Sequence, residues 1–210
     1  MATALASIPI IATTVNYSNV DSAVFYRAIS EAKNHGKEEE VRQGIAGTVQ
    51  SKWYGACVHV YSINEYHDMQ RVLFDEGRTG FALKDRDIVS VFKHPACTLR
   101  PALSVVIPTA VQLGGNRLDC FNRGLPSTYA KFGFLPVARI RFEVQYAPQD
   151  WNYARDQHPD IIYMVYKREI AEKRWESDTE RDGQIEAVIS QLSYSTNEDA
   201  LSIQRRSCMM

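Results

Sequence analysis

The stretch from Arg117 to Phe134 carries the residue types and spacing best suited to chemistry. A short apolar run ends at Asn122, a helix-length segment follows, and Tyr129 stands four residues before the Gly133-Phe134 pair. A tyrosine on a helix that follows a strand points toward the strand ends, where open α/β sheets bind their ligands. Its phenol could there protonate a leaving group such as a thiolate. The alternative is structural: Gly133 ends the helix in a left-handed turn, and Tyr129 is simply half-buried.

This stretch resembles the GCN5-related N-acetyltransferase (GNAT) family, whose usual pattern is Asn-x-x-Ala-x-x-Leu-Tyr-x-x-x-Gly-Phe. The spacing from Asn122 to Tyr129 matches that pattern. The chain is also similar to acetyltransferase-like proteins of tailed bacteriophages in four segments: GGNRLDCF at 114–121, YAKFGF at 129–134, YAPQDW at 146–151 and PDIIYMVY at 159–166. The resemblance covers roughly residues 80–168.

The resemblance implies an α/β (α+β) fold in which a mixed, mostly antiparallel central sheet is flanked by helices. In that family two central strands diverge in a V-shaped splay, and their counterparts here are 88–93 and 118–121. The implied activity is transfer of an acetyl group from acetyl-CoA to an amine of unknown identity. The chain would then divide into an N-terminal arm at 1–15, a GNAT-like domain at 16–168 and a helical or flexible extension at 169–210.

The resemblance also implies a set of site residues. Tyr129 would act as the general acid, and Asn122 would help hold the pantetheine arm or the splay. The pantetheine would lie along the central strand and the pyrophosphate at the N-terminus of the next helix, where backbone N–H groups and the helix dipole favour an anion. The other residues expected to contact acetyl-CoA are Val91, Phe92, Lys93, Arg100, Ala102 and Leu103.

The loop at 97–104, CTLRPALS, departs from the family's usual Arg/Gln-x-x-Gly-x-Gly/Ala. It contains no glycine, and Pro101 lacks a backbone N–H, so fewer donors can face a pyrophosphate. Arg100 could offset part of that loss with a charge-assisted contact, or could be an ordinary solvated cation. These features leave open a second hypothesis, a catalytically degenerate relative that acts as a binding or virion-associated structural module.

A general base must take a proton from the acceptor amine, and Glu76, His94 and Asp119 are the candidates near the expected site. His94 closes the predicted central strand and has a suitable intrinsic pKa, so it is the preferred base. Each of the three is also compatible with an ordinary surface or capping role.

Composition and charge argue against several functional classes. The chain has 210 residues, 45% of them hydrophobic, which is enough for one domain with a substantial core. Its 24 basic and 25 acidic residues give a net charge of −1, so neither nucleic acid nor an anionic membrane is an expected partner. The apolar residues 1–15 follow no Lys or Arg and make a poor signal peptide. A cytoplasmic protein is predicted, in host cytoplasm if phage-encoded, with a host protein, a second copy or a virion as partner.

The cysteines and histidines show no metal-site spacing. The four cysteines include no CxxC pair, and the five histidines show no HExxH or paired spacing. We therefore expect reduced thiols and no metal site. The cysteines are Cys57, Cys97, Cys120 and Cys208.

Aromatic residues cluster in the connection at 147–160 and beside it. Tyr146, Trp151 and Tyr153 lie close together in sequence, near Pro148. They could form an acceptor lid or a partner-binding surface. The favoured alternative is a long loop packed on the sheet by its own aromatic side chains.

Hydrophobic periodicity predicts the remaining elements. In the N-terminal half, a helix should begin at Asn19–Asp21, run to about Asn34 and end at His35-Gly36, and a second helix should follow at 37–45. A strand is expected at 53–61. A further helix is expected at 62–74; it should begin with a Ser62–Glu65 capping box and end at Gly77. The second half should contain hairpin strands at 80–83 and 88–93, a helix at 102–113 (or a strand over LSVVI), a strand at 118–121, a helix at 125–132, and strands at 137–146 and 161–166. Helices are expected to about Ser193, followed by a mobile end.

Overall fold

The computed structural model of the chain describes residues 17–209, and the arm predicted at 1–15 lies outside the described residues. Seven strands form one sheet in the order β1-β2-β3-β4-β5-β7-β6. The strands are β1 (Tyr17–Asn19), β2 (Gln70–Phe74), β3 (Thr79–Lys84), β4 (Asp87–Lys93), β5 (Arg117–Phe121), β6 (Phe134–Ile140) and β7 (Ile161–Tyr166). The helices are α1 (Ser22–Arg42), α2 (Ile63–His67), α3 (Leu103–Gln112), α4 (Leu125–Ala130), α5 (Tyr153–Asp156), α6 (Arg168–Ala171), α7 (Asp178–Gln191) and α8 (Asn197–Ser207).

The sheet is mostly antiparallel, and its one parallel pair in the described chain joins β4 to β5. These two strands share a single registered pair, Asp87 with Arg117, and diverge beyond it. The prediction of a mixed, mostly antiparallel sheet with a splay between its central strands is confirmed. A divergence of this kind leaves room for a ligand between two strands that lie side by side in the sheet order.

Helices cover both faces of the sheet because side chains alternate between the faces along each strand. On one face α3, α4 and α7 pack over the largest apolar core, which includes Phe81, Ile107 and Ile185. On the other face α1 and α2 pack over β2 to β4, and α8 packs over β6 and β7. The splay between β4 and β5 therefore lies between α1 on one side and α8 on the other.

Helix α1 is one continuous helix, so the prediction of a break at His35-Gly36 is wrong. Asp21 caps it as predicted, by accepting a hydrogen bond from the Ala23 N–H at 2.8 Å. A Cβ on Gly36 would lie 2.6 Å from Cδ1 of Trp53. The glycine therefore permits close packing of the Trp53 indole against the helix and does not end it.

Two predicted elements in residues 53–74 are wrong. Residues 53–61 form no strand; they contain a 3₁₀ turn at Gly55–Cys57 and extended segments held by side chains. The capping box at Ser62 and Glu65 is present, but the helix ends at His67 and strand β2 begins at Gln70. Gly77 lies in a 3₁₀ turn after β2 rather than after a helix. The chain passes from helix α2 to strand β2 within eight residues. Hydrophobic periodicity cannot separate two elements over so short a stretch.

The β3–β4 hairpin, β5, α3, α4 and β7 occur where they were predicted, apart from one or two residues at their ends. Strand β6 begins at Phe134 and ends at Ile140, so the predicted strand at 137–146 is displaced toward the N-terminus. The end of the chain was predicted to be mobile, but α8 packs on the sheet. Gln204 of α8, only 1% exposed, donates hydrogen bonds to the carbonyl oxygens of Leu118 and Met164.

Candidate functional site

The divergence of β4 and β5 opens a cavity of about 1510 Å³, lined by β4 on one side and β5 on the other. All but one of the residues predicted as the acid, the preferred base or acetyl-CoA contacts line this cavity: Val91, Phe92, Lys93, His94, Arg100, Ala102, Leu103 and Tyr129. Asn122 is the exception. It lies just past the end of β5, where its backbone N–H donates to the Asp160 carbonyl oxygen at 2.8 Å.

Strand β4 presents a free backbone edge to the cavity. Beyond Asp87 its described backbone bonds in the sheet run only to β3. A bulge interrupts that ladder: Ser90 has a φ of 52°, and Ser90 and Val91 together lie opposite one residue of β3. The Ser90 hydroxyl lies 2.8 Å from the Tyr66 hydroxyl and 2.9 Å from the His59 carbonyl oxygen. These bonds stabilise a bulge that redirects backbone groups beside the cavity.

The Tyr129 side chain reaches the cavity from α4 on the core side of the sheet. The residue is 9% exposed, its ring packs edge-on against Phe134, and its hydroxyl has no hydrogen-bond partner among residues 17–209. Burial, with smaller contributions from Cys120 and Asp119, raises the pKa of Tyr129 well above its usual range. At neutral pH the phenol therefore keeps its proton and can act as a hydrogen-bond donor in the cavity.

Asp119 lies on β5, one residue before Cys120, and its side chain is accessible from the cavity. Asp119 is exposed. Protein atoms packed around its carboxyl raise the pKa of that group, and a hydrogen bond from its own backbone N–H acts in the opposite direction. The sequence named Asp119 only as one of three candidate bases. The structure places it in the same cavity as Tyr129, whereas Glu76 lies outside the lining and pairs with Arg78 at 2.9 Å.

His94 lies at the end of β4, in the cavity wall. Its Nδ1 accepts a hydrogen bond from the Ala96 N–H at 3.0 Å, and its ring packs against His35 with centroids 4.7 Å apart. Partial burial and the neighbouring His35 lower the pKa of His94. Because Nδ1 is occupied, the neutral ring carries its proton on Nε2 and has no free lone pair for a further proton.

The loop at 97–104 provides few free donors. The Thr98 N–H and hydroxyl both donate to the Asp75 carboxylate, each at 2.6 Å. The N–H groups of Ala102 and Leu103 have no backbone acceptor within the described chain, since the first bond of this turn runs from Ser104 to Pro101. Arg100 is exposed beside them. An anion at the start of α3 would thus meet two amides and a guanidinium, with the Asp75 carboxylate nearby.

A set of contacts that we call the clasp joins the two sides of the splay. It connects Ser51 and Trp53, which precede α2, with Arg155 and Asp156 in the loop between β6 and β7. The Arg155 guanidinium donates to the carbonyl oxygens of Ser51 and Trp53, at 3.2 and 2.7 Å, and stacks on the Tyr54 ring at 3.9 Å. Asp156 accepts from Arg155 at 2.5 Å. The clasp gave no signal in the sequence because its partners lie about a hundred residues apart.

Glu40 of α1 holds the first half of the clasp. Its carboxylate accepts hydrogen bonds from the Ser51 hydroxyl at 2.5 Å and from the Trp53 N–H at 2.6 Å. The Lys52 N–H donates to the same carboxylate. These bonds replace the ladder bonds that a strand over residues 53–61 would have made.

The aromatic cluster divides into a buried part and an exposed part. Trp151 is buried, packs against Phe121 and Phe142, and donates its indole N–H to the Gln157 carbonyl oxygen at 2.9 Å. For Trp151 the favoured interpretation, a loop packed by its own aromatic side chain, is confirmed. Tyr146 is 78% exposed and lies at the cavity rim.

The described residues offer no group of three His, Cys, Asp or Glu side chains placed to hold a metal ion. Across residues 17–209, no helix combines the length and the apolar character that crossing a bilayer requires.

The fold and cavity define a mixed α/β protein with a ligand-sized cleft at the splay of its central strands. Comparisons of the chain with protein-family models, with curated proteins and with solved structures each gave no match.

Proposed function

We propose that the protein is a GNAT-like N-acyltransferase that moves an acetyl group from acetyl-CoA to an amine. The observation that carries this proposal is the Tyr129 hydroxyl, which faces the splay cavity without a hydrogen-bond partner in the described chain. Tyr129 lines the cavity, and its hydroxyl is not among the fully buried side-chain atoms that lack a partner in the described chain, so it is accessible to a ligand there. If the chain is phage-encoded, the reaction would take place in host cytoplasm.

The free edge of β4 is the part of the cleft suited to the pantetheine arm. An extended ligand with amide groups can pair with an unpaired strand edge as an added strand would. The bulge at Ser90 and Val91 would supply a backbone N–H to the thioester carbonyl oxygen, where negative charge develops during acyl transfer. Asn122 lies outside the cavity, so in this proposal it supports the end of β5.

Tyr129 would serve as the acid for the departing thiol. At neutral pH its phenol is protonated, so it can donate a hydrogen bond to the sulfur and pass on its proton as charge develops there. Positioning of the amine and the thioester in one cleft would supply most of the remaining rate enhancement.

The pyrophosphate would bind at the start of α3. The N–H groups of Ala102 and Leu103 and the Arg100 guanidinium fit an anion there. The Asp75 carboxylate already accepts the hydrogen bond of the Thr98 N–H, and its negative charge repels the pyrophosphate. We therefore expect weaker pyrophosphate binding than a glycine-rich loop would give.

Calorimetric titration with acetyl-CoA tests the proposal, with dephospho-CoA as the comparison. Micromolar to submillimolar binding supports it, and absence of binding at millimolar acetyl-CoA overturns it. Thiol release in the presence of a panel of primary amines should then fall about a hundredfold in Tyr129→Phe, with the fold intact by circular dichroism. Tyr153→Phe, an exposed tyrosine outside the cavity lining, is the matched control and should leave thiol release unchanged.

One observation favours a second candidate, a binding or virion-associated structural module on the same scaffold. The Asp75 carboxylate takes the Thr98 amide that a pyrophosphate loop would offer to a phosphate. Light scattering after size exclusion tests this candidate. A stable oligomer that requires residues 1–15 supports it, and a monomer that binds acetyl-CoA argues against it.

A further inference from the structure

We propose that His35 and His94 form an acid-sensitive contact between helix α1 and the turn that leaves strand β4, and that protonation of His94 opens this turn in the wall of the cavity. We call the two rings and the Ala96 N–H the imidazole latch. The inference goes beyond the proposed acyl transfer and does not depend on it.

His94 holds the turn at 94–97 through both its ring and its backbone. Its Nδ1 accepts a hydrogen bond from the Ala96 N–H at 3.0 Å. Its carbonyl oxygen accepts from the Cys97 N–H at 2.9 Å, and its own N–H donates to the Arg78 carbonyl oxygen at 2.7 Å. A side-chain acceptor two residues before the amide that it binds is the arrangement by which Asn and Asp stabilise turns. The His94 ring takes that role here, with the difference that it can gain a proton near neutral pH.

The His94 ring also contacts α1. It packs against the His35 ring, with centroids 4.7 Å apart and planes tilted by 32°. Elsewhere α1 and β4 meet through apolar side chains, since Phe25 packs edge-on against Phe92 at 5.8 Å. Gly36, next to His35, and His94 both line the cavity. The imidazole latch thus joins the second half of α1 to the end of β4 at the cavity wall.

Protonation of His94 is incompatible with the hydrogen bond at its Nδ1. In the neutral ring Nδ1 is an acceptor and the proton lies on Nε2, whereas in the imidazolium both nitrogens are donors. The Nδ1–H would then face the Ala96 N–H, and the bond would be lost. A charged His94 would also repel His35 once that ring is protonated, because like charges at this separation are unfavourable. Acid therefore weakens both contacts of the imidazole latch.

Two elements bring charged groups to the imidazole latch. On α1, Glu31 and Glu39 lie one turn before and one turn after His35, and Glu39 already pairs with an arginine. Arg78 lies in the turn between β2 and β3. Burial, next His35, and also Arg78 lower the pKa of His94, and they outweigh the opposite effect of Glu31. The open turn therefore binds a proton more tightly than the closed turn does, so a fall in pH favours the open turn.

NMR of the full-length protein between pH 7.5 and pH 5 tests the inference. At pH 7.5 the ring nitrogens of His94 should show the chemical shifts of the Nε2–H tautomer. As the pH falls below about 6.5, the ordinary pKa of histidine, hydrogen exchange at the Ala96 amide should become about tenfold faster than its intrinsic pH dependence gives. The amides of β3, a central strand, should remain protected, which separates local opening from acid unfolding.

Three substitutions separate the contacts. His94→Asn can keep the bond to the Ala96 N–H through its side-chain oxygen but cannot be protonated, so the acid-dependent exchange should disappear. His35→Asn removes the second charge and should move the midpoint of the His94 titration to higher pH, because one of the effects that lower its pKa is gone. His67→Asn is the matched control, at a side chain of α2 that is 81% exposed, and it should leave the exchange of Ala96 unchanged.

Exchange at Ala96 that does not accelerate in acid would overturn the inference, and so would the Nδ1–H tautomer of His94 at pH 7.5. Neither measurement requires a variant. An acid response that persists in His94→Asn, or a His94 midpoint that does not move in His35→Asn, would contradict it as well. Simultaneous loss of protection at β3 and at Ala96 would also refute it, since the whole protein would then unfold in acid rather than open at this turn.

Discussion

Replacing Asp87 by asparagine should stabilise the protein at alkaline pH and not at acidic pH. Burial, and next the Asp119 charge, raise the pKa of Asp87 to about 7. In the unfolded chain an aspartate titrates near 3.9. Between these values the native state holds a proton that the unfolded state releases, so the free energy of unfolding falls as the pH rises toward 7. Fully expressed, this penalty amounts to about 4 kcal/mol above pH 7.

The asparagine should recover part of that penalty. It removes a charge on a side chain that is 22% exposed, and it replaces a carboxylate whose Oδ1 is buried and has no hydrogen-bond partner within residues 17–209. It also loses the ion pair between Asp87 and Arg117, which is long at 3.8 Å. We therefore expect Asp87→Asn to gain about 1 to 3 kcal/mol at pH 8, or about 2 to 10 °C in Tm, and less than about 1 kcal/mol near pH 4.

Urea denaturation from pH 4 to pH 8 measures the effect directly. Asp85→Asn is the matched control, because Asp85 contacts the same Arg117 but is 92% exposed. It should change the free energy of unfolding by less than about 0.5 kcal/mol at every pH. If Asp87→Asn gives no pH-dependent gain, or destabilises the protein at pH 8, then Asp87 is not an unfavourable buried charge and the argument is wrong.

Two further substitutions test the packing around the cleft. Arg155→Lys removes the planar guanidinium of the clasp and should lower the free energy of unfolding by about 1 to 3 kcal/mol, measured by urea denaturation. The exposed control Arg168→Lys should change it by less than about 0.5 kcal/mol. Equal effects of the two substitutions would show that the clasp adds no stability. Gly80→Ala would place a Cβ 2.3 Å from the Val72 carbonyl oxygen and should lower stability by about 1 to 3 kcal/mol. Gly183 lies in α7 with open space around its Cα, so Gly183→Ala should raise the free energy of unfolding by about 0.5 to 1 kcal/mol. If thermal melts show Tm shifts of the same sign for both glycine substitutions, the packing argument is wrong.

The sequence was most informative where local patterns determine structure. The hairpin strands β3 and β4 and the apolar run of β7 were predicted closely, because short buried strands carry their signal in consecutive residues. Prediction was wrong where distant contacts decide. Gly36 reads as a helix end, yet it makes room for Trp53, which lies 17 positions further along the chain.

In the candidate site, too, local patterns could be predicted from the sequence and contacts between distant residues could not. The motif around Tyr129 predicted a tyrosine at the strand ends, and the structure has Tyr129 among the residues that line the splay cavity. It did not predict that the Ala96 N–H engages the Nδ1 of His94, because that contact depends on the turn that follows β4. The bulge at Ser90 was also beyond prediction, because the Tyr66 and His59 groups that hold it come from a separate segment.

The clasp has a consequence for the order in which the cleft takes shape. Its hydrogen bonds link Arg155 to Ser51, 104 positions earlier in the chain. Contacts between such distant residues carry a large loop-closure entropy, so they form after local hairpins and helices. During synthesis the strands from β1 to β4 would leave the ribosome well before Arg155 does. We therefore expect one wall of the cleft to exist for a time without the other, and the cavity to close only as the last third of the chain arrives.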